Sequence, residues 1–350
     1  MVFVQELQKI ATQLPFKAPP IPVGHPYYGR IGEVIPQRGF YLKGMSWRTF
    51  NAILKDEERV QRDPESFFKK LKRYILNEEG ALTSWNEVFN ARVSGKADDR
   101  LFYKASQTTV ANNWSCFYRS GGVPGAGSYA NIPGGAAHNV NSAGAFPLTN
   151  PASGEKKYLL SFGANHLTGA NVVALIDLLV AAGNISANTT SAQTVNTTAL
   201  TRYTDGEGVY MILEVTTALG ATAANVTVNY TNQAGTSGRS TGALAMTTSA
   251  VVYRLQPTAG GMLIPLQAGD YGVRSVETIT FSAAMGAGVV AVLLYKPLLL
   301  IPTLANTTFV EMPPQSVYQS VIELVTDSNG NIGCLTVFVL TSSTSTGVQT

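Results

Sequence analysis

Residues 225–230 read NVTVNY, and this stretch decides the fold. Val226, Val228 and Tyr230 fall on one side of an extended chain, and Asn225, Thr227 and Asn229 on the other. A two-residue period of this kind belongs to a half-buried β-strand. Similar runs lie on both sides of it: KYLLSFGA (157–164), NVVALIDLLVAAG (171–183), GVYMILEVTTAL (208–219), AVVYRLQP (250–257), GMLIPLQ (261–267), GVRSVETITFSA (272–283) and GVVAVLLYKP (288–297). Gly, Asn, Thr and Pro punctuate them. Further on, VIELVTDSNGNIGCLTVFVL (321–340) holds Asn329-Gly330, a turn signal between two apolar runs. About ten strands with little helix predict a mainly β protein, with a β-sandwich of jelly-roll-like type over 157–350. The segment ALIDLLVAAG also reads as a short helix.

Upstream the pattern changes. In residues 1–14, Phe3, Leu7, Ile10 and Leu14 form one helical stripe. Residues 15–45 contain six prolines and five glycines, which exclude helix and central strand. Yet Phe16, Ile21, Tyr27, Tyr28, Phe40 and Tyr41 are too apolar for a solvated linker. Residues 1–45 therefore read as a helix and extended arm that lies on a surface, either its own domain or a neighbouring subunit. These ten side chains are the candidate assembly interface. Residues 46–110 read as a small helical region, whose clearest helix has Asp63 at the N-cap, Pro64 at the first position and Gly80 as its stop. The span 111–156 is rich in Gly and Pro and reads as a connector.

Charge sets limits on function. Only 13% of residues are charged. Residues 1–119 hold 18 Lys/Arg and 12 Asp/Glu, whereas 120–350 hold 7 and 10. The weakly charged C-terminal part, rich in small and β-branched residues, suits burial against other subunits. Lys69, Lys70, Lys72 and Arg73 make a basic run, but 46–95 balances 9 basic against 8 acidic residues, which is not the footprint of a phosphate binder. Neither a nucleic-acid partner nor a membrane partner is expected. The most apolar run, 289–302, is too short to span a bilayer and contains Lys296 and Pro297.

Catalytic signals fail one by one. GGVPGAGS (121–128) has the glycine gap of a phosphate loop, but no lysine precedes Ser128 and Pro133 follows where a helix should begin. His25, His138 and His166 show no metal-ligand spacing. Cys116 and Cys334, far apart in a long chain, read as free thiols, with a Cys116–histidine dyad as the remaining option. DGEG (205–208) holds a close pair of carboxylates but reads as a turn leading into a strand. No enzyme activity and no cofactor are expected.

Five stretches carry a resemblance: AFPLTNPASGEKKYLL (145–160), ALIDLLVAAGNIS (174–186), SAQTVNT (191–197), VTVNYTNQAGTSGRST (226–241) and LIPLQAGDYGVRSVETITFSAAMG (263–286). Over roughly 110–345 the chain resembles a group of largely uncharacterised tailed-bacteriophage virion proteins. The resemblance implies a structural component of the virion, assembled in the host cytoplasm. A capsid-associated role (decoration, cement or vertex) comes first, with a tail, collar or receptor-binding component contacting host glycan or protein as the alternative. The implied partners are other virion proteins, the major capsid protein first, and further copies of the chain.

Overall fold

The computed structural model describes residues 90, 93, 97, 98, 100–105, 107–164, 171–258, 261–303, 310–312, 322–342 and 345–348. The chain divides into two compact units, Met1–Ser94 and Gly95–Thr350. In the first, only Asn90 and Val93 are described, and both are helical and exposed. The N-terminal helix, the arm and the helix at Asp63 lie outside the described residues, as do all ten candidate interface residues from Phe3 to Tyr41.

The second unit is the predicted β-sandwich. Its principal strands are β1 (Asn113–Cys116), β2 (Asn171–Ser186), β3 (Tyr210–Thr217), β4 (Asn225–Asn232), β5 (Leu255–Gln256), β6 (Val273–Phe281), β7 (Val289–Thr303) and β8 (Cys334–Thr341). The large sheet runs β5-β3-β7-β2-β8-β1, each neighbouring pair in this order antiparallel. The smaller sheet runs from Gln193–Thr194 through β6 and β4 to Arg239–Ser240. The alternation in NVTVNY is realised: Val226, Val228 and Tyr230 are fully buried, and Asn225 is exposed. With Val276, Ile279 and Phe281 of β6 they join one apolar cluster with Met211, Leu213, Val215, Val290, Val292 and Leu294 of the large sheet. Each such side chain stabilises the fold by roughly 1.5–3 kcal/mol on burial.

The opposite face of the large sheet is covered too. Val173, Leu175, Leu299, Ile301, Leu335, Val337 and Val339 pack with Phe117, Val140, Phe146, Leu324 and Ile332 in a second cluster. β2 is therefore buried on both faces, and its sequence is a continuous apolar run rather than an alternating one. That is why ALIDLLVAAG also reads as a helix; in the structure it is part of a 16-residue strand. β7 runs on through Pro297. Its pairing with β3 stops at Tyr295, and beyond that its described partner is β2 alone, so Pro297 removes no ladder donor on the β3 side.

The large sheet nearly closes on itself. Ser115 of β1 forms an antiparallel bridge with Arg254, just before β5, and Cys116 N–H donates to the Tyr253 carbonyl at 2.8 Å. Its two edge strands thus meet at a seam, which removes the exposed edge that an open sheet would present there.

Three readings change. GMLIPLQ forms no strand and AVVYRLQP yields only the two residues of β5. Pro257 and Pro265 cannot donate to a ladder, and Gly261 turns the chain at φ 69°. The span 111–156 is more than a connector: it supplies β1, and Ala130–Asn131 and Ala136–Ala137 both pair with β2. Asn329-Gly330 is a turn, with Gly330 at φ 81° and its N–H on the Asp327 carbonyl at 3.0 Å. Its flanking runs meet only at the Thr326–Ile332 bridge, because Ile322–Leu324 pairs instead with Lys157–Leu159.

Candidate functional site

The glycine loop is built around a cation. Lys104 is fully buried, and its ammonium donates to the carbonyls of Ser120 (3.1 Å), Pro124 (2.9 Å) and Gly125 (2.9 Å). The Phe102 ring lies 5.2 Å from the same nitrogen. A phosphate loop turns its amide N–H groups inward; this loop turns carbonyl oxygens inward, the opposite polarity. Burial lowers the Lys104 ammonium to about 8. Gly122 pairs with Lys104 at φ 132°, and a Cβ there would run into the Tyr103 carbonyl. Gly127 is equally crowded, against the Tyr118 ring, whereas Gly121 and Gly125 face open space, so two of these four glycines serve close packing.

A second polar cluster sits behind the seam. Glu214, on β3, is fully buried in the apolar run YMILEVTT. Arg119 Nε donates to its Oε1 at 2.7 Å, and the Tyr129 hydroxyl donates to its Oε2. The Cys116 sulfur lies 3.7 Å from the Tyr129 oxygen. Tyr129 has given its only proton to Glu214, so the thiol is the donor. The Arg119 guanidinium also lies 4.9 Å from the Tyr253 ring. Burial pushes the Glu214 carboxyl up, against the pull of Arg119 and the Tyr129 hydrogen bond. Burial, with the Glu214 charge, pushes the Cys116 thiol well above its ordinary value.

The Cys116–histidine option meets a different geometry. His138 Nδ1 is 3.0 Å from the Tyr118 hydroxyl and 3.3 Å from Ser142 Oγ. The sulfur's described partner is Tyr129, not a histidine. Burial, with the nearby Arg202 charge, lowers His138 to about 4, so the ring is neutral at neutral pH. Arg202 is itself buried and clasps Asp177 through Nε (3.1 Å) and Nη2 (2.7 Å). Both cysteines are free, as expected, and both are buried. His25 and His166 lie outside the described residues. Among the described residues no group of three His, Cys, Asp or Glu side chains is placed to hold a metal ion. No helix there is long and apolar enough to cross a membrane.

A third feature is exposed. Loops 203–208, 233–238 and 267–272 meet at one end of the sandwich. Gly208 N–H donates to the Tyr271 carbonyl and Gln233 N–H to the Gly272 carbonyl, each at 3.1 Å. Arg274 Nε donates to the carbonyls of Asp205 (3.0 Å) and Gln233 (2.9 Å), and Lys296 Nζ to that of Glu207 (2.8 Å). Asp270 accepts from the Tyr230 hydroxyl (2.6 Å), Asn232 Nδ2 (2.7 Å) and Arg239 Nε (2.8 Å). The Arg239 bond, with those from Tyr230 and Asn232, holds the Asp270 carboxyl at about 2. Stretches 226–241 and 263–286 are therefore the two halves of one hydrogen-bonded lock. DGEG belongs to this end and is the expected turn, with Gly206 at φ 72° and Gly208 at φ 63°.

Sequence reasoning missed Lys104, because the carbonyls it holds lie 16 to 21 residues away. Glu214 was legible in principle: a lone carboxylate inside an apolar strand signals a buried partner. Comparison with family models, with curated proteins and with solved structures finds no match to this chain.

Proposed function

We propose that the protein is a structural component of a tailed-bacteriophage virion, attached to the capsid and held there by contacts between subunits. One observation carries this reading. Among the described residues, every lysine and arginine except Arg254 is bonded to a carboxylate or a main-chain carbonyl within the chain. On the described exterior the cations are thus held in internal bonds, while Leu101, Tyr103, Val123, Tyr158 and Leu160 are exposed. Such a surface suits packing against other subunits, not a polyanion or a charged substrate. The resemblance over 110–345 points the same way. The partner is then the major capsid protein or a further copy of this chain, and the apolar arm (15–45) supplies the tie.

The test is attachment to particles. Purified full-length chain should bind particles lacking it, and a chain without residues 1–45 should remain folded but not bind. Normal attachment of the truncated chain would remove the arm from the proposal, and a few copies per particle rather than hundreds would move the protein to the tail. The three-loop end favours a second reading, a tail or collar component that contacts the host.

A further inference from the structure

We propose that the three-loop end around Tyr271 binds a neutral glycan. Tyr271 is 58% exposed, the one large hydrophobic side chain so exposed among the described residues of these loops. Its position is nonetheless fixed. Its N–H donates to Gln233 Oε1 at 3.2 Å, its carbonyl accepts from Gly208, and its neighbour Asp270 is held by Tyr230, Asn232 and Arg239. An aromatic ring presented on pre-ordered loops offers contact area at little ordering cost.

The groups around it select the ligand. Glu207 is bridged to Gly272, the residue after Tyr271, so its loop lies beside the ring. Asp205 and Glu207 are both exposed there. Asp205 Oδ1 accepts from the Glu207 N–H at 3.0 Å, which orders the turn that carries both carboxylates. A pyranose has a C–H face that covers an aromatic ring and a rim of hydroxyl donors that seek acceptors; an exposed tyrosine beside two carboxylates supplies both. The charges nearby balance: Arg239 is paired with Asp270, Lys296 donates to the Glu207 carbonyl and feels the Asp205 and Glu207 charges, and Arg274 Nε is held by two loop carbonyls. Asp205, Glu207 and Asp270 match these three cations one for one, which leaves no net positive charge at this end to draw the carboxylate of an acidic sugar, so the class is a neutral sugar. The inference stands on this geometry whether the protein sits on head or tail.

The experiment presents the full-length chain to immobilised neutral and acidic glycans, with Tyr271→Ala and Tyr271→Trp alongside and thermal unfolding as the control for fold. Neutral glycans should be retained and acidic ones not. Tyr271→Ala should weaken binding at least about tenfold with unchanged unfolding, while Tyr271→Trp keeps it. Three outcomes would overturn the proposal: no neutral glycan bound, a preference for acidic glycans, or binding that survives Tyr271→Ala. Particle attachment, scored separately on the same variants, keeps this result apart from the proposed capsid role. Attachment lost in Tyr271→Ala without any glycan binding would make the end a protein contact and also sink the glycan reading.

Discussion

Lys104 carries a full positive charge to a place without solvent exposure, and three main-chain oxygens take over its hydration. Lys104→Met keeps the length of the side chain but leaves those oxygens unpaired. It should cost about 3 kcal/mol in chemical denaturation. His138 gives a pH signature. Its folded value of about 4 lies below its ordinary 6.5, so the unfolded chain takes up a proton first as pH falls. Stability from this group is complete above about pH 6.5 and is lost progressively down to about pH 4, by roughly 3 kcal/mol in total. His138→Gln should flatten that part of a stability-versus-pH curve. Neither residue's role could be read from its neighbours in sequence. Each depends on atoms brought together by the fold, and only the failure of the histidines to show metal spacing was legible in advance.

At the scale of elements, the seam between β1 and β5 depends on the side chains behind it. Glu214→Ala would strand Arg119 and should destabilise by about 3–5 kcal/mol. Replacing both Glu214 and Arg119 with Leu and Met should restore much of that, because no buried charge then lacks a partner. Hydrogen exchange at Cys116, whose amide bonds across the seam to the Tyr253 carbonyl, should rise in the single variant and recover in the double. The same region shows why some strands were legible and others were not. NVTVNY alternates because β4 has one buried and one partly solvated face. β2 has two buried faces and loses the alternation. β1 is four residues long and fully buried, too short and too uniform to announce itself within a Gly/Pro-rich span. The three-loop end was not legible, since Asp270 and its three partners lie 31 to 40 residues apart.

At the scale of the molecule, the sandwich begins earlier than its obvious strands. A fragment covering 95–350 contains both apolar clusters in full. It should unfold in one cooperative thermal transition. A fragment covering 157–350 lacks β1 and the buried Phe117, Tyr118 and Phe146, and should fail to fold. If the proposed attachment runs through the weakly charged part at 120–350, it should change little with ionic strength, in contrast to steered, charge-driven association.

The closed seam also has a temporal meaning. Cys116 and Cys334 lie on neighbouring strands of the same sheet, sealed from solvent, with thiols that burial makes poor nucleophiles. An alkylating reagent can reach them only in the moments when that sheet parts. The rate at which they are modified in the native chain is therefore a clock for its opening, built in without a label. A chain locked into an assembled particle should run that clock more slowly than the same chain free in solution.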